Sequence, residues 1–320
     1  MSKEVIEPIE DYGLNKTNRP KAMFSKIGII GCGTVGQNLA KMISTNGVDV
    51  VFLELSQEKI NDALKEIDHD LNGLIESWGL TEGEKRGILS RIKGTLSYED
   101  LADCEIVIDA ILSKRREKAL DVRKEIFKNL EKFVSPSTII ATNSTTIAIT
   151  EISNEMQHKE RCVSLHFSIT APHAQIVEVV RSFYTSDEAY QRVLMFTKLM
   201  RRTPVPVLES PGLISVRLFV ALISEACDVL MEGVSNIENI DLTMRSGFNL
   251  PLGPFEMADK VGLDRVVQWM ENMYNEFGDK KYKTPPLMKR MVRAHQTGRK
   301  SGKGFYEYDE NGNKIKRNLL

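Results

Sequence analysis

The sequence predicts an α/β fold in which an N-terminal doubly wound sheet is followed by a smaller all-helical C-terminal domain. Three observations point to it. The chain opens on strand, glycine turn, helix, strand. Short β-branched runs then alternate with helical patterns up to about residue 201. From residue 210 onward the apolar spacing is almost purely helical.

The first element is the β-branched run 26–30, followed at once by Gly31-Cys32-Gly33-Thr34-Val35-Gly36. Residues 37–43 are helix-compatible, and a second apolar run, 48–55, carries Glu54 near its end. This is the opening βαβ unit of a Rossmann-type domain. A helical stretch covers 57–77. Another starts at Thr81, where Thr81 and Glu84 form a capping-box pattern. Strand-like runs follow at 105–111, 138–142, 163–167 and 176–180, with helical patterns at 118–133 and 187–201 between them. Pro211-Gly212 breaks the chain after the apolar residues 205–208. Helical patterns then cover 213–231, 239–246, 255–261, 264–277 and 286–295, with no strand run before Gly304-Phe305-Tyr306. The expected organisation is an extension over 1–24, a dinucleotide-binding domain over 25–208 and a helical domain over 209–320.

Composition narrows the function classes. A chain of 320 residues suffices for two cores. Lys+Arg total 43 against 44 Asp+Glu, so net charge gives no bulk attraction to nucleic acid or a membrane surface. No run approaches the roughly 18 apolar residues of a membrane helix. Residues 1–23 lack the apolar segment of a secretory signal and read as a flexible or surface-clasping extension. Cys32, Cys104, Cys162 and Cys227 form no CxxC pair, which is the pattern of buried free thiols in a cytoplasmic protein and argues against a metal site.

The glycine turn has a specific chemical reading. Gly31 makes the tight turn, Gly33 lets a pyrophosphate approach the backbone, and Gly36 permits close helix–strand packing. Thr34 and Val35 open the helix whose free amides and dipole favour the diphosphate. Glu54 lies 23 residues after Gly31, where a carboxylate accepts from both adenosine ribose hydroxyls and repels a 2′-phosphate, so NAD is expected over NADP. The competing reading is an empty glycine turn beside an ordinary exposed Glu54. Cys32 reads as a small filler.

Two titratable residues stand in apolar strand runs: His166 in Val163-Ser164-Leu165-His166-Phe167, and Glu178 in Ile176-Val177-Glu178-Val179-Val180. A carboxylate among β-branched neighbours is costly to bury without a partner, and a histidine twelve residues earlier on a neighbouring strand supplies one. Such a pair suits alcohol oxidation, the imidazole taking the hydroxyl proton and the carboxylate orienting it. A core histidine and a glutamate on a solvated face is the alternative.

Several stretches together resemble the 3-hydroxyacyl-CoA dehydrogenase family: residues 31–36, Ala141-Thr142-Asn143-Ser144-Thr145-Thr146, His166-Phe167, Ile176-Val177-Glu178-Val179, Pro211-Gly212, Leu252-Gly253-Pro254-Phe255-Glu256, and the run 298–306. They occur in order between about residues 25 and 309. The resemblance implies that His166 and Glu178 are the catalytic pair and that Thr145 supplies the hydroxyl that contacts the substrate. It implies that Asn143 matches the motif's asparagine and belongs to the cofactor site, the alternative being a turn residue that bonds its own backbone, and that Asp109, at the end of its strand, is the acid near the cofactor's ribose. It also implies a homodimer formed through the helical domain, in keeping with the apolar faces of 213–231.

The departures are informative. Where the family reads Pro-Gly-Phe-Ile-Val-Asn-Arg, this chain reads Pro211-Gly212-Leu213-Ile214-Ser215-Val216-Arg217, so Val216 replaces an asparagine that holds the substrate oxygen. Losing such a donor costs roughly 3 kcal/mol, about a hundredfold in rate. Ser215 lies about 100° away around a helix and reads as a poor substitute. Ser168-Ile169-Thr170 replaces the family's Phe-Asn-Pro, with His173 in the loop beyond. Residues 68–77 carry three acids and none of the lysines that receive coenzyme A. The longer segment at 113–118 holds Lys114, Arg115 and Arg116, either an anion site or a solvated helix start.

Three readings follow. The first is NAD-dependent oxidation of a 3-hydroxyacyl-CoA, or the reverse reduction. The second is a related dehydrogenase acting on a free hydroxy acid or an unusual acyl group. The third is an NAD-binding protein with little catalysis.

Overall fold

The structure is a computed structural model that describes residues 24–112, 119–167 and 175–315, together with the backbone of 116–118. The expectations for residues 1–23, for Lys114 and Arg115, for the Arg116 side chain, and for Ser168, Ile169, Thr170 and His173 lie outside the described residues.

The first part alternates strands and helices: β1 (Lys26–Ile30), α1 (Thr34–Thr45), β2 (Asp49–Leu53), α2 (Gln57–Glu76), α3 (Glu82–Ser90), β3 (Ile92–Thr95), β4 (Ile106–Asp109), α4 (Arg116–Phe133), β5 (Ile139–Thr142), α5 (Ile149–Ser153), β6 (Cys162–Phe167), β7 (Ile176–Arg181), α6 (Asp187–Leu199) and β8 (Thr203–Leu208). They form one eight-stranded sheet in the order β3-β2-β1-β4-β5-β6-β7-β8. Strands β1 to β6 run parallel, β7 reverses against β6, and β8 follows β7.

Side-chain alternation explains why helices cover both faces. Ile27, Ile29, Ile106, Ile108, Ile139 and Ala141 pack on one face with Leu39, Ile43, Ile67 and Phe196. Ile30, Val107 and Ile140 pack on the other with Phe127, Leu130 and Ile152. Strands buried on both faces read as continuous apolar runs, which is what the sequence shows. Chain order reverses between β1 and β4, the switch point at which doubly wound sheets bind ligands beyond the carboxyl ends of their strands.

The second part is helical: α7 (Ser215–Met231), α8 (Ile237–Phe248), α9 (Pro254–Val261), α10 (Leu263–Phe277) and α11 (Pro286–Arg293). Val220, Ile223, Phe255, Met270 and Tyr282 lie in its core. Buried Asp259 tethers the C-terminal segment by accepting from the Phe305 and Tyr306 amides and the Tyr308 hydroxyl, each at 2.9 Å. All four cysteines are buried and free.

Several features differ from the expectations, among them the short helix α5. Strands β3 and β8 were not anticipated. The first is short and carries the exposed Lys93. The second holds Pro204 and Pro206, which a strand accepts only at a sheet edge, where β8 lies. Phe24, placed in the extension by its position, is 1% exposed and meets Phe196 edge-on at 5.4 Å. Helix α7 begins at Ser215 rather than 213, because Gly212 (φ 86°) and Leu213 (φ 48°) take left-handed conformations before it.

Candidate active site

The glycine turn has the geometry its sequence implied. Gly31 has φ 83°, and a side chain on Gly36 would collide with the Gly31 carbonyl. Gly33 has nothing within 4 Å of where its Cβ would stand, so the backbone there is open to a ligand. Helix α1 starts at Thr34 with no side-chain cap and no acid in its first turn, and Thr34 is exposed while Val35 is half-buried. Its first amides are therefore free to take an anion. Glu54 sits against this turn, accepting the Cys32 amide at 2.6 Å and the Leu55 amide at 3.2 Å. Burial pushes the Cys32 thiol up to about 12, so it is protonated and inert.

Asp109, expected near the cofactor's ribose, stands at the end of β4. It is fully buried. Its oxygens accept from the Ile111 amide at 3.0 Å and the Thr142 hydroxyl at 2.7 Å, and Arg123 Nε lies 2.8 Å from Oδ2. Arg123 also donates to the Ile111 carbonyl at 2.8 Å and the Ala119 carbonyl at 3.2 Å. A carboxylate without solvent needs such partners. Asp109 thus braces the loop after β4 from inside. Asn143 bonds neither its own turn nor open space: its Oδ1 accepts the Phe167 amide at 3.1 Å, tying the β5 loop to the end of β6.

The register of β6 and β7 sets His166 directly opposite Glu178. His166 Nδ1 lies 2.7 Å from Glu178 Oε2, and both residues are buried, at 9% and 3% exposure. The other carboxylate oxygen, Oε1, accepts the Ile214 and Ser215 amides at 2.9 and 3.0 Å. The Ser215 hydroxyl donates to Oε2 at 2.6 Å and stands 3.4 Å from His166 Nδ1. Burial alone would raise the Glu178 carboxyl, but the hydrogen bonds from His166 and from Ser215 outweigh it and hold it at about 2. An ionised Glu178 keeps the proton on Nδ1, which leaves Nε2 as the acceptor.

Thr145 is 8% exposed, and its carbonyl accepts the Gly212 amide at 2.7 Å. Next to it, Thr146 accepts from Asn272 of α10 at 2.8 Å. The β5 loop, the dyad and the start of α7 therefore meet at one place. Val216 is 3% exposed and belongs to the helical core. The 100° rotation from Val216 that makes Ser215 a poor substitute for the asparagine is what aims it at Glu178. The one sequence signal for it was a hydroxyl where the family pattern has valine. Of the acids on α2, Asp68 pairs with Lys85 at 2.7 Å and Asp70 pairs with Lys41. That surface is thus less negative than residues 68–77 suggest in isolation.

Comparison with known proteins agrees with this architecture. Residues 26–210 match the family model of the 3-hydroxyacyl-CoA dehydrogenase NAD binding domain, and residues 212–308 match that of the family's C-terminal domain. The chain is 35% identical to a 3-hydroxybutyryl-CoA dehydrogenase of Clostridioides difficile over 285 residues, which span 89% of this chain and 100% of the relative. The solved structure of the (S)-3-hydroxybutyryl-CoA dehydrogenase from Ralstonia eutropha superposes with a TM-score of 0.81 at 35% identity, covering 90% of this chain and 100% of that one. A diketoreductase acting on dicarbonyl compounds has a TM-score of 0.74 at 25% identity, with coverage of 89% and 99%. The chain belongs to the 3-hydroxyacyl-CoA dehydrogenase family. It is an NAD-dependent dehydrogenase with a Rossmann-type domain followed by a helical one.

Proposed function

We propose that this dehydrogenase interconverts a 3-hydroxyacyl-CoA and the 3-oxoacyl-CoA, with His166 as the acid–base group and Glu178 as its orienting partner. The observation that carries the reading is the 2.7 Å contact between His166 Nδ1 and a Glu178 carboxylate held in its ionised form. With Nδ1 protonated, Nε2 takes the proton of the substrate hydroxyl during oxidation and returns it during reduction, while Glu178 stabilises the imidazolium in between. NAD, when bound, accepts the hydride released from the same carbon. Gly31, Gly33, Thr34, Val35 and Gly36 would hold its diphosphate through backbone amides, and Glu54 its adenosine ribose. Thr145 would approach the substrate near the reacting carbon. Asn143 would hold the β5 loop in place through the Phe167 amide.

The 3-hydroxybutyryl-CoA dehydrogenases at 35% identity support the acyl-CoA substrate. The pairing of Asp68 and Asp70 with lysines removes part of the charge that would oppose coenzyme A phosphates. A reaction on a free hydroxy acid or an unusual acyl group is the second reading, favoured by Ser168-Ile169-Thr170 and by the lack of lysine in residues 68–77. At the start of α7, Ile214 (46%) and Leu218 (68%) are exposed one turn apart, and we assign this face to a homodimer contact.

The test is NADH consumption with acetoacetyl-CoA and, separately, with acetoacetate. Turnover of the thioester alone, reduced about 10²- to 10⁴-fold in His166→Ala, is the expected result. Turnover of the free acid alone overturns the substrate assignment, and an undiminished His166→Ala protein overturns the dyad.

A further inference from the structure

The Ser215 hydroxyl has a choice of partners at the start of α7, and it takes the one outside its own helix. Helix α7 is capped by Ile214 with no side-chain hydrogen bond. Ser215 Oγ instead donates to Glu178 Oε2 at 2.6 Å, the oxygen that also faces His166 Nδ1 at 2.7 Å. Two donors therefore share one carboxylate oxygen. The other oxygen is already occupied by the Ile214 and Ser215 amides.

We propose that Ser215 is a positioning residue that tempers the pull of Glu178 on His166, and so sets the pH range over which the imidazole works as base or as acid. The proposal rests on the dyad reading above. A carboxylate oxygen that accepts a hydroxyl proton has less electron density for the imidazole N–H. Removing that hydroxyl returns the whole of Oε2 to His166 and favours the imidazolium. Among the described residues, the neighbouring charges are directed elsewhere. Arg217 on α7 donates to the Tyr282 hydroxyl at 3.1 Å and the Ser210 hydroxyl at 3.2 Å. Glu209 accepts the Thr150 amide at 2.7 Å. Arg181 on β7 reaches Asp187 at 2.6 Å. On β8 the residue opposite Glu178 is the apolar Val205. Asn143 and Thr145, from the β5 loop, carry no charge. Ser215 is thus the neutral group best placed to adjust the pair.

The experiment is the pH dependence of kcat in both directions, with acetoacetyl-CoA for reduction and 3-hydroxybutyryl-CoA for oxidation. The proteins are wild type, Ser215→Ala, Ser215→Val and Ser215→Thr, with His166→Ala as the control. In the alanine and valine variants the acid limb of oxidation moves to higher pH, so oxidation at mildly acidic pH falls about threefold to tenfold, as expected for one hydrogen bond. Reduction holds its rate to correspondingly higher pH. Ser215→Thr restores the wild-type profile, and the KM for NAD is unchanged in all three. Profiles in alanine and valine that superimpose on wild type, or that drop equally at every pH, overturn the proposal while leaving the dyad in place if His166→Ala is inactive. An active His166→Ala protein overturns both.

Discussion

The Asp109 carboxylate and the Arg123 guanidinium form an ion pair inside the sheet–helix interface, Nε standing 2.8 Å from Oδ2 with side chains 7% and 0% exposed. Breaking such a pair strands a buried charge and costs about 3–5 kcal/mol. Arg123→Met is expected to lose stability in that range by urea denaturation. Arg123→Met combined with Asp109→Leu is expected to recover part of it. A double variant no better than the sum of its singles would show that the two residues act independently.

Glu54 is expected to select the dinucleotide. It already touches the glycine turn through the Cys32 amide at 2.6 Å. In Glu54→Ala the KM for NAD rises about tenfold or more with kcat little changed, because ribose binding is common to ground and transition states. The preference for NAD over NADP narrows, since the repulsion toward a 2′-phosphate is gone. Steady-state kinetics with both dinucleotides measures each effect.

The two inner glycines separate binding from folding. A methyl on Gly33 meets open space, whereas one on Gly36 meets the Gly31 carbonyl. Gly33→Ala keeps the melting temperature and weakens NAD binding. Gly36→Ala lowers the melting temperature, because backbone must move. Calorimetric titration and thermal melts on both variants give the comparison, and equal behaviour of the two would contradict it.

The Glu178 carboxyl is held at about 2 in the folded protein, below its ordinary 4.5. Its hydrogen bonds therefore stabilise the fold fully above about pH 4.5, and that contribution is lost as pH falls toward 2. The amount is on the order of 3 kcal/mol. The stability advantage of wild type over Glu178→Gln should be largest near neutrality and shrink on acidification from pH 5 to pH 3, as followed by denaturant midpoints. A difference that stays constant over that range would mean that the donors do not favour the charged form.

Local patterns in the sequence carried much of this structure. The glycine turn, Glu54 beyond β2 and the helices of the second part follow from spacing and caps that act within a few residues. What escaped depends on distant partners. The partner of Asp109, Arg123, lies on the following helix and has no marking in sequence. Ser215 gained its role only when residues 36 or more positions apart met at Glu178. Strand β8 was concealed by prolines, which local propensity counts against a strand and an edge position excuses.

The reversal of direction at β7 has a consequence for how such a protein changes over time. Because His166 and Glu178 face each other through strand pairing, their juxtaposition depends on register and not on what connects the two strands. The connecting residues can be rewritten, lengthened or shortened while the two side chains keep their register. In this chain the connection opens with Ser168-Ile169-Thr170. Selectivity and reactivity are thereby free to drift apart: a lineage can try new substrates without first dismantling its chemistry.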